Sequence, residues 1–157
     1  MLADFDRRLR DLEGAIVVDS TARAAAESAF ESASVTVRSL SANDALVLDS
    51  TPNAWTPDPA LVATIDVVNG QLTVTISANL ALNDTGDLEM GVSLTGPTSV
   101  DFDRGHALAT YSQAAPTQGS YQYVFNSLAV GTYTVTPGYY LASTSGTASF
   151  RTLVAQT

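Results

Sequence analysis

The residues able to do chemistry are few, and they sit in short polar stretches. The only histidine, His106, closes the run DFDRGH, in which Asp101 and Asp103 stand two apart. Two carboxylates and an imidazole are a metal-ligand set, and Asp-x-Asp followed by Gly matches part of a calcium loop. The twelfth position from Asp101, where a bidentate Glu would complete that loop, carries no acid. The reading is therefore a polar loop between strands, with Asp101 paired to Arg104, and no metal is expected. A second acidic turn, NDTGDLE, holds Asp84, Asp87 and Glu89 and carries the same expectation. A Ser-His-Asp triad would have to use His106, and no Gly-x-Ser-x-Gly surrounds any serine. No spacing selects an acid pair for glycoside cleavage. The absence of cysteine removes thiol nucleophiles, disulfides and zinc-thiolate sites together. The expectation is of no catalytic residue, no cofactor and no enzyme.

The aromatic residues are the other candidates, because ring faces stack on sugars. Tyrosines stand at 111, 121, 123, 133, 139 and 140. Tyr121, Tyr123 and Tyr133 alternate along strands and are expected to fill a core or a seam between chains. Tyr139 and Tyr140 put one ring on each face of a strand, and the more exposed ring is a candidate for ligand contact. Trp55, the only tryptophan, lies between prolines. It is expected to plug a groove on its own domain, with ligand contact as the alternative. The ligand-binding candidates are thus Trp55, Tyr139 and Tyr140.

These residues need a scaffold, and its pattern changes along the chain. From Leu61 onward the hydrophobic period is two. Leu72, Val74, Ile76, Ala78 and Leu80 alternate with Thr73, Thr75, Ser77 and Asn79, and Leu88, Met90, Val92 and Leu94 repeat the pattern. Tyr121, Tyr123 and Phe125, then Tyr133 and Val135, do the same. Turn signals separate the runs: Asn69-Gly70, NDTGD, TGPT, PTQGS, AVGT and TSGT. The spacing predicts about eight strands between Val62 and Ala155, the signature of an antiparallel β-sandwich or jelly roll. Residues 41–59, with Pro52, Pro57 and Pro59, read as a connector in which Ala45–Leu48 allows a short strand.

The first forty residues read as helical. Leu2, Phe5, Leu9, Leu12 and Ile16 are spaced three and four apart, an a/d coiled-coil seam. Arg8 falls at g and Glu13 at e, where a parallel coil lets them pair between chains. Arg, aliphatic, two free positions, aliphatic, Glu resembles the trimerisation motif of short coiled coils. The seam Leu2, Phe5, Arg8, Leu9, Leu12, Glu13 and Ile16 is the expected trimer interface; one amphipathic helix packed on its own domain is the alternative. Asp19, Ser20 and Thr21 offer N-caps to a second short helix with an alanine face. The organisation expected is 1–40 helical docking and oligomerisation, 41–59 connector, and 60–157 β domain.

Composition narrows the partners. Sixteen acids oppose seven arginines, there is no lysine, and the net charge is −9. Nucleic acid and anionic membranes attract positive fields, so neither is expected as a partner. No apolar run is long enough to span a bilayer. Met1-Leu2-Ala3-Asp4 leads into charges rather than an apolar stretch, so no secretory signal is expected.

The run from Ser120 to Gln156 resembles the small β domains that end many tail and fibre proteins of actinobacterial bacteriophages. The matching residues are Leu128, Gly131, Tyr133 and Val135, then Tyr139 and Tyr140, then Ser145, Gly146, Thr147, Arg151, Leu153 and Val154. The resemblance covers roughly residues 60–157. It implies a trimer of jelly rolls similar to tumour-necrosis-factor domains, in agreement with the heptads. It further implies a virion protein assembled in the host cytoplasm, of minor tail or fibre type. That protein would dock on other virion proteins through its N-terminal helices and contact the host surface, a glycan included. A capsid decoration or head-fibre protein is the runner-up. A carbohydrate-binding or adhesin module is the alternative of another class.

Overall fold

The computed structural model describes residues 20–25, 36–48, 53–83, 86–111, 116–142 and 145–157. The heptad seam from Leu2 to Ile16 lies outside these residues, as does Asp84. The chain divides into two units, Met1–Val35 and Thr36–Thr157. In the first unit, residues 20–25 are helical and exposed, where the sequence places the start of the alanine-faced helix.

The described residues of the second unit form a β-sandwich of ten strands, all paired antiparallel. They are β1 (Val37–Ala42), β2 (Leu46–Leu48), β3 (Ala54–Pro57), β4 (Ala63–Val67), β5 (Leu72–Leu82), β6 (Asp87–Thr95), β7 (Leu108–Tyr111), β8 (Thr117–Phe125), β9 (Gly131–Leu141) and β10 (Gly146–Gln156). One sheet runs β1-β10-β5-β8, with β2 continuing β1 along β10. The other runs β3-β9-β6-β7, with β4 continuing β3 along β9. Counting each broken pair as one position leaves eight positions in a nested order. First pairs with last, second with seventh, third with sixth, and fourth with fifth. The second unit is therefore a long hairpin rolled up, which is the jelly roll.

The alternation that marks β5 in the sequence is the alternation seen. Leu72, Val74, Ile76, Ala78 and Leu80 point into the core and are buried, and the Thr, Ser and Asn between them face outward. Leu88, Met90, Val92 and Leu94 of β6 and Tyr133, Val135, Tyr139 and Leu141 of β9 meet them from the opposite sheet. Tyr133, deep in this core, donates its hydroxyl to the Ala129 carbonyl at 2.9 Å and accepts from the Thr98 N–H at 3.2 Å, so its polar end is satisfied.

The sandwich begins at Thr36 rather than at residue 60. The segment read as a connector supplies β2 and β3, and β1 lies where the helical region was expected to end. Pro57 and Pro59 fall where a sheet tolerates them. Pro57 closes β3 on an edge, and Pro59 opens a 3-10 turn, Pro59–Leu61, that separates β3 from β4.

Candidate functional site

The sequence candidates Trp55 and Tyr140 come together on the outer face of the second sheet. β3 pairs Trp55 with Tyr140, and β6 pairs Glu89 with the same Tyr140, so the three side chains form one cross-strand row. The next row is Pro57, Gly138 and Gly91. The two glycines are direct ladder partners and leave a trough. Trp55 and Phe102 fill it. A Cβ on Gly91 would stand 2.6 Å from the Trp55 ring, and one on Gly138 would stand 2.6 Å from the Phe102 ring. The two rings stack at 4.9 Å with planes 12° apart, and Tyr140 tilts against Trp55 at 5.6 Å.

Phe102 and Arg104 arrive on the β6–β7 connection, which folds back across this face. The Arg104 guanidinium lies over the Tyr140 ring, 4.5 Å from its centre. Its Nε donates to Glu89 Oε1 at 2.8 Å and its Nη2 to Asp87 Oδ2 at 2.7 Å; Nη2 also contacts Glu89 Oε1. The hydrogen bonds it donates to Glu89, then to Asp87, hold the guanidinium pKa above its already high ordinary value. Glu89 is only 2% exposed, and its Oε2 has no hydrogen-bond partner among the described residues. Tyr140 donates its hydroxyl to Asn53 Oδ1 at 3.1 Å. Trp55 therefore plugs a groove on its own domain, as the sequence predicts, while Tyr140 keeps partial exposure beside a cation. The arrangement offers ring edges, the Arg104 guanidinium and the Asp87 carboxylate for contact with a ligand.

The other ring of the tyrosine pair points the opposite way, as alternation requires, and is removed from any ligand. Tyr139 is 1% exposed. Its hydroxyl donates to Asp58 Oδ2 at 3.1 Å, and Arg151 Nη1 reaches the same oxygen at 2.6 Å. Arg151 Nη2 continues to Asp44 Oδ1 at 2.8 Å. Asp58 Oδ1 accepts the Ala60 N–H at 3.0 Å and so caps the 3-10 turn. Burial, then the charge of Asp58, pushes the Tyr139 hydroxyl well above the usual tyrosine range. Burial, the largest single influence, lowers the Arg151 pKa, but Asp58, Tyr139 and the hydrogen bond to Asp44 together raise it above its ordinary value and the guanidinium is held charged. Tyr139 is thus a structural residue of a buried polar network, which corrects its reading as a ligand contact.

The acidic loop differs from expectation in its pairing. Arg104 bonds Asp87 and Glu89 rather than Asp101, which is exposed. Asp103 caps the 3-10 turn Arg104–His106, its Oδ1 accepting the Gly105 N–H at 2.7 Å. His106 Nδ1 lies 4.0 Å from Asp103 Oδ2, and its ring packs 4.0 Å from that of Tyr123. Among the described residues no three His, Asp or Glu side chains are grouped to hold a metal ion. The side chain of Tyr111 lies outside the description. Sequence reasoning missed Phe102, Arg104 as a partner of Glu89, and Asn53. The signal for the trough was present: Gly91 and Gly138 interrupt strand patterns, and a strand glycine marks a close approach.

No family model matches the sequence, and no curated protein matches it. Likeness appears in the fold. The VP2 subviral particle of infectious bursal disease virus matches with a TM-score of 0.55 at 15% identity, over 79% of this chain and 33% of that one. The Gt strain of the same virus gives 0.55 at 13%, over 79% and 33%. The T13 particle of the virus gives 0.52 at 14%, over 78% and 31%. The chain thus spans about a third of the length of these structures. At such identities the likeness is one of fold: this sandwich shares the architecture of a viral particle protein. Among the described residues no helix is long and apolar enough to cross a membrane.

Proposed function

We propose that this chain is a structural protein of a bacteriophage virion: a homotrimeric appendage of minor tail or fibre type on the particle surface, acting in attachment or host-surface contact. The observation that carries the reading is the nested strand order, first with last through fourth with fifth, which is the jelly roll used by viral shells and by lectin-like binding domains. The heptad seam at Leu2, Phe5, Leu9, Leu12 and Ile16, with Arg8 and Glu13 flanking it, supports three copies. The N-terminal helices dock the trimer on other virion proteins, and the sandwich faces outward. A capsid decoration or head-fibre role keeps the same architecture and changes only the docking partner.

The test is the solution mass of the full chain and of a fragment beginning at Thr36, by light scattering. Three copies of the full chain are expected. A monomer at micromolar concentration would overturn the reading. Antibody labelling of purified particles then places the protein: signal on tails fits the leading reading, signal on heads the decoration role.

A reading as a glycan-binding module is favoured by one observation, the half-exposed Tyr140 beside Trp55 and Arg104. It expects binding to a host-surface glycan that is lost in Tyr140→Ala and kept in Val130→Ala, a change at an exposed residue on a turn. Equal binding by both variants would remove this reading.

A further inference from the structure

Charge is distributed unevenly along this chain. All sixteen acids lie at or before Asp103, and from Gly105 to Phe150 there is no Asp, Glu, Lys or Arg. That stretch forms β7, β8, β9 and the first half of β10. The sheet edges differ accordingly. The β1–β2 edge is broken between Ala42 and Leu46, carries Arg38, and has Asp44 in the break. The β3–β4 edge is broken by a 3-10 turn, holds Pro57 and Pro59, and carries Asp66. β7 is four residues long. β8 is nine residues long, has neither charge nor proline, and keeps unbroken register against β5. Among the described residues no strand pairs with its other side.

A long, regular, open edge is a template for pairing with another chain, and soluble proteins block such edges with charges, prolines, breaks or short strands. Three edges here carry those devices and β8 carries none. Its inward rings, Tyr121 and Tyr123, are only half-buried, with His106 laid on Tyr123. Its outward residues Gln118, Ser120, Gln122 and Val124 are exposed and continue onto Thr73, Thr75 and Ser77 of β5 without a charge. Copies with a net charge of −9 repel one another least where neither sign is present.

We infer that a second copy of this chain covers β8, and that this edge, with the flank formed by Tyr121, Tyr123 and His106, is a subunit contact of the β domain. The inference rests on the homotrimer proposed above and names its surface. In a threefold ring the contact is heterologous, so β8 of each copy meets a different patch of its neighbour.

The test uses the full chain and two double variants that add equal charge: Ser120→Glu with Gln122→Glu on β8, and Ser39→Glu with Ser41→Glu on the guarded edge at β1. Mass is followed by light scattering across a dilution series, with circular dichroism as the check on folding. At least tenfold weaker association is expected for the β8 variant and none for the β1 variant. In the wild type, β8 amides exchange slowly at high concentration and faster on dilution. A folded β8 variant that stays trimeric would overturn the inference and leave the trimer standing. Equal weakening by both variants would also overturn it, as a general charge effect. A wild-type monomer with fast β8 exchange would overturn both readings. A wild-type dimer that the β8 variant dissociates would end the trimer alone. If the β8 variant does not fold, the wild-type exchange comparison decides.

Discussion

Gly91 of β6 and Gly138 of β9 face each other across the ladder, and the side chains they lack are replaced by the rings of Trp55 and Phe102. The plug is thus built by strands far apart in sequence and closed by a loop. Gly91→Ala forces a methyl group into Trp55, which cannot swing freely because Phe102 is stacked on it. Overpacking of this kind costs about 1–3 kcal/mol. Because Trp55 is the only tryptophan, its emission reports the site directly. The expected outcome is a shifted emission maximum with a lowered denaturation midpoint. Unchanged emission in a folded Gly91→Ala protein would mean the ring is not seated on the glycine.

Tyr139 gives a prediction in pH. Its folded pKa is raised, by burial and by Asp58, above the ordinary value of about 10. Between those two values the unfolded chain has lost the phenolic proton and the folded chain retains it. The folded state then binds more protons, so stability falls as pH rises, by about 1.4 kcal/mol per pH unit for one group. This contribution is fully present below pH about 10 and is lost above it. Tyr139→Phe removes the titrating group. Thermal melts across the alkaline range are expected to show a shallower loss for Tyr139→Phe than for wild type; parallel curves would show that Tyr139 does not drive the loss.

Arg151 and Asp58 are each 1% exposed and joined at 2.6 Å. Removing one member of such a pair strands the other charge, at a cost of about 3–5 kcal/mol. Arg151→Met is expected to fall in this range by urea unfolding. Adding Asp58→Asn, which retains an oxygen for the Ala60 N–H, is expected to restore part of the loss. A single variant with near-wild-type stability would show the network to be dispensable.

The sequence showed the centre of the sandwich more clearly than its rim. β5 was legible because a central strand buried on one side must alternate, and Tyr139 and Tyr140 separate onto opposite faces for the same reason. β1 and β3 were not legible. Edge strands need little alternation, and Pro57 and Pro59, which read as breakers, only divide an edge. Arg151 defeated the period altogether. Gly146 and Ala148 point inward, so strict alternation would bury Phe150 and expose Arg151. A register shift between Ser149 and Thr152, with Phe150 at a left-handed φ of 48°, reverses the parity. The arginine turns in to meet Asp58, ninety-three positions earlier in the chain. A bulge and its distant carboxylate leave no local periodic signal. The trough was half visible, in its glycines but not in the rings that fill it.

The heptad seam sets the last prediction. Fifteen residues make a helix of about 22 Å, near the limit at which an isolated helix is stable in water. In the trimer proposed above, a coil of that length would hold three chains in register more readily than it would hold them together. Leu9→Asp with Leu12→Asp places charges at a and d positions, where an unpaired charge is costly to bury. If the seam shares the work with the β domain, the double variant weakens the trimer without abolishing it, and the mass falls toward one chain only on dilution. Complete dissociation at all concentrations would make the coil the sole clamp. No change at any concentration would assign the whole contact to the sandwich and leave the leucine repeat to docking on the particle.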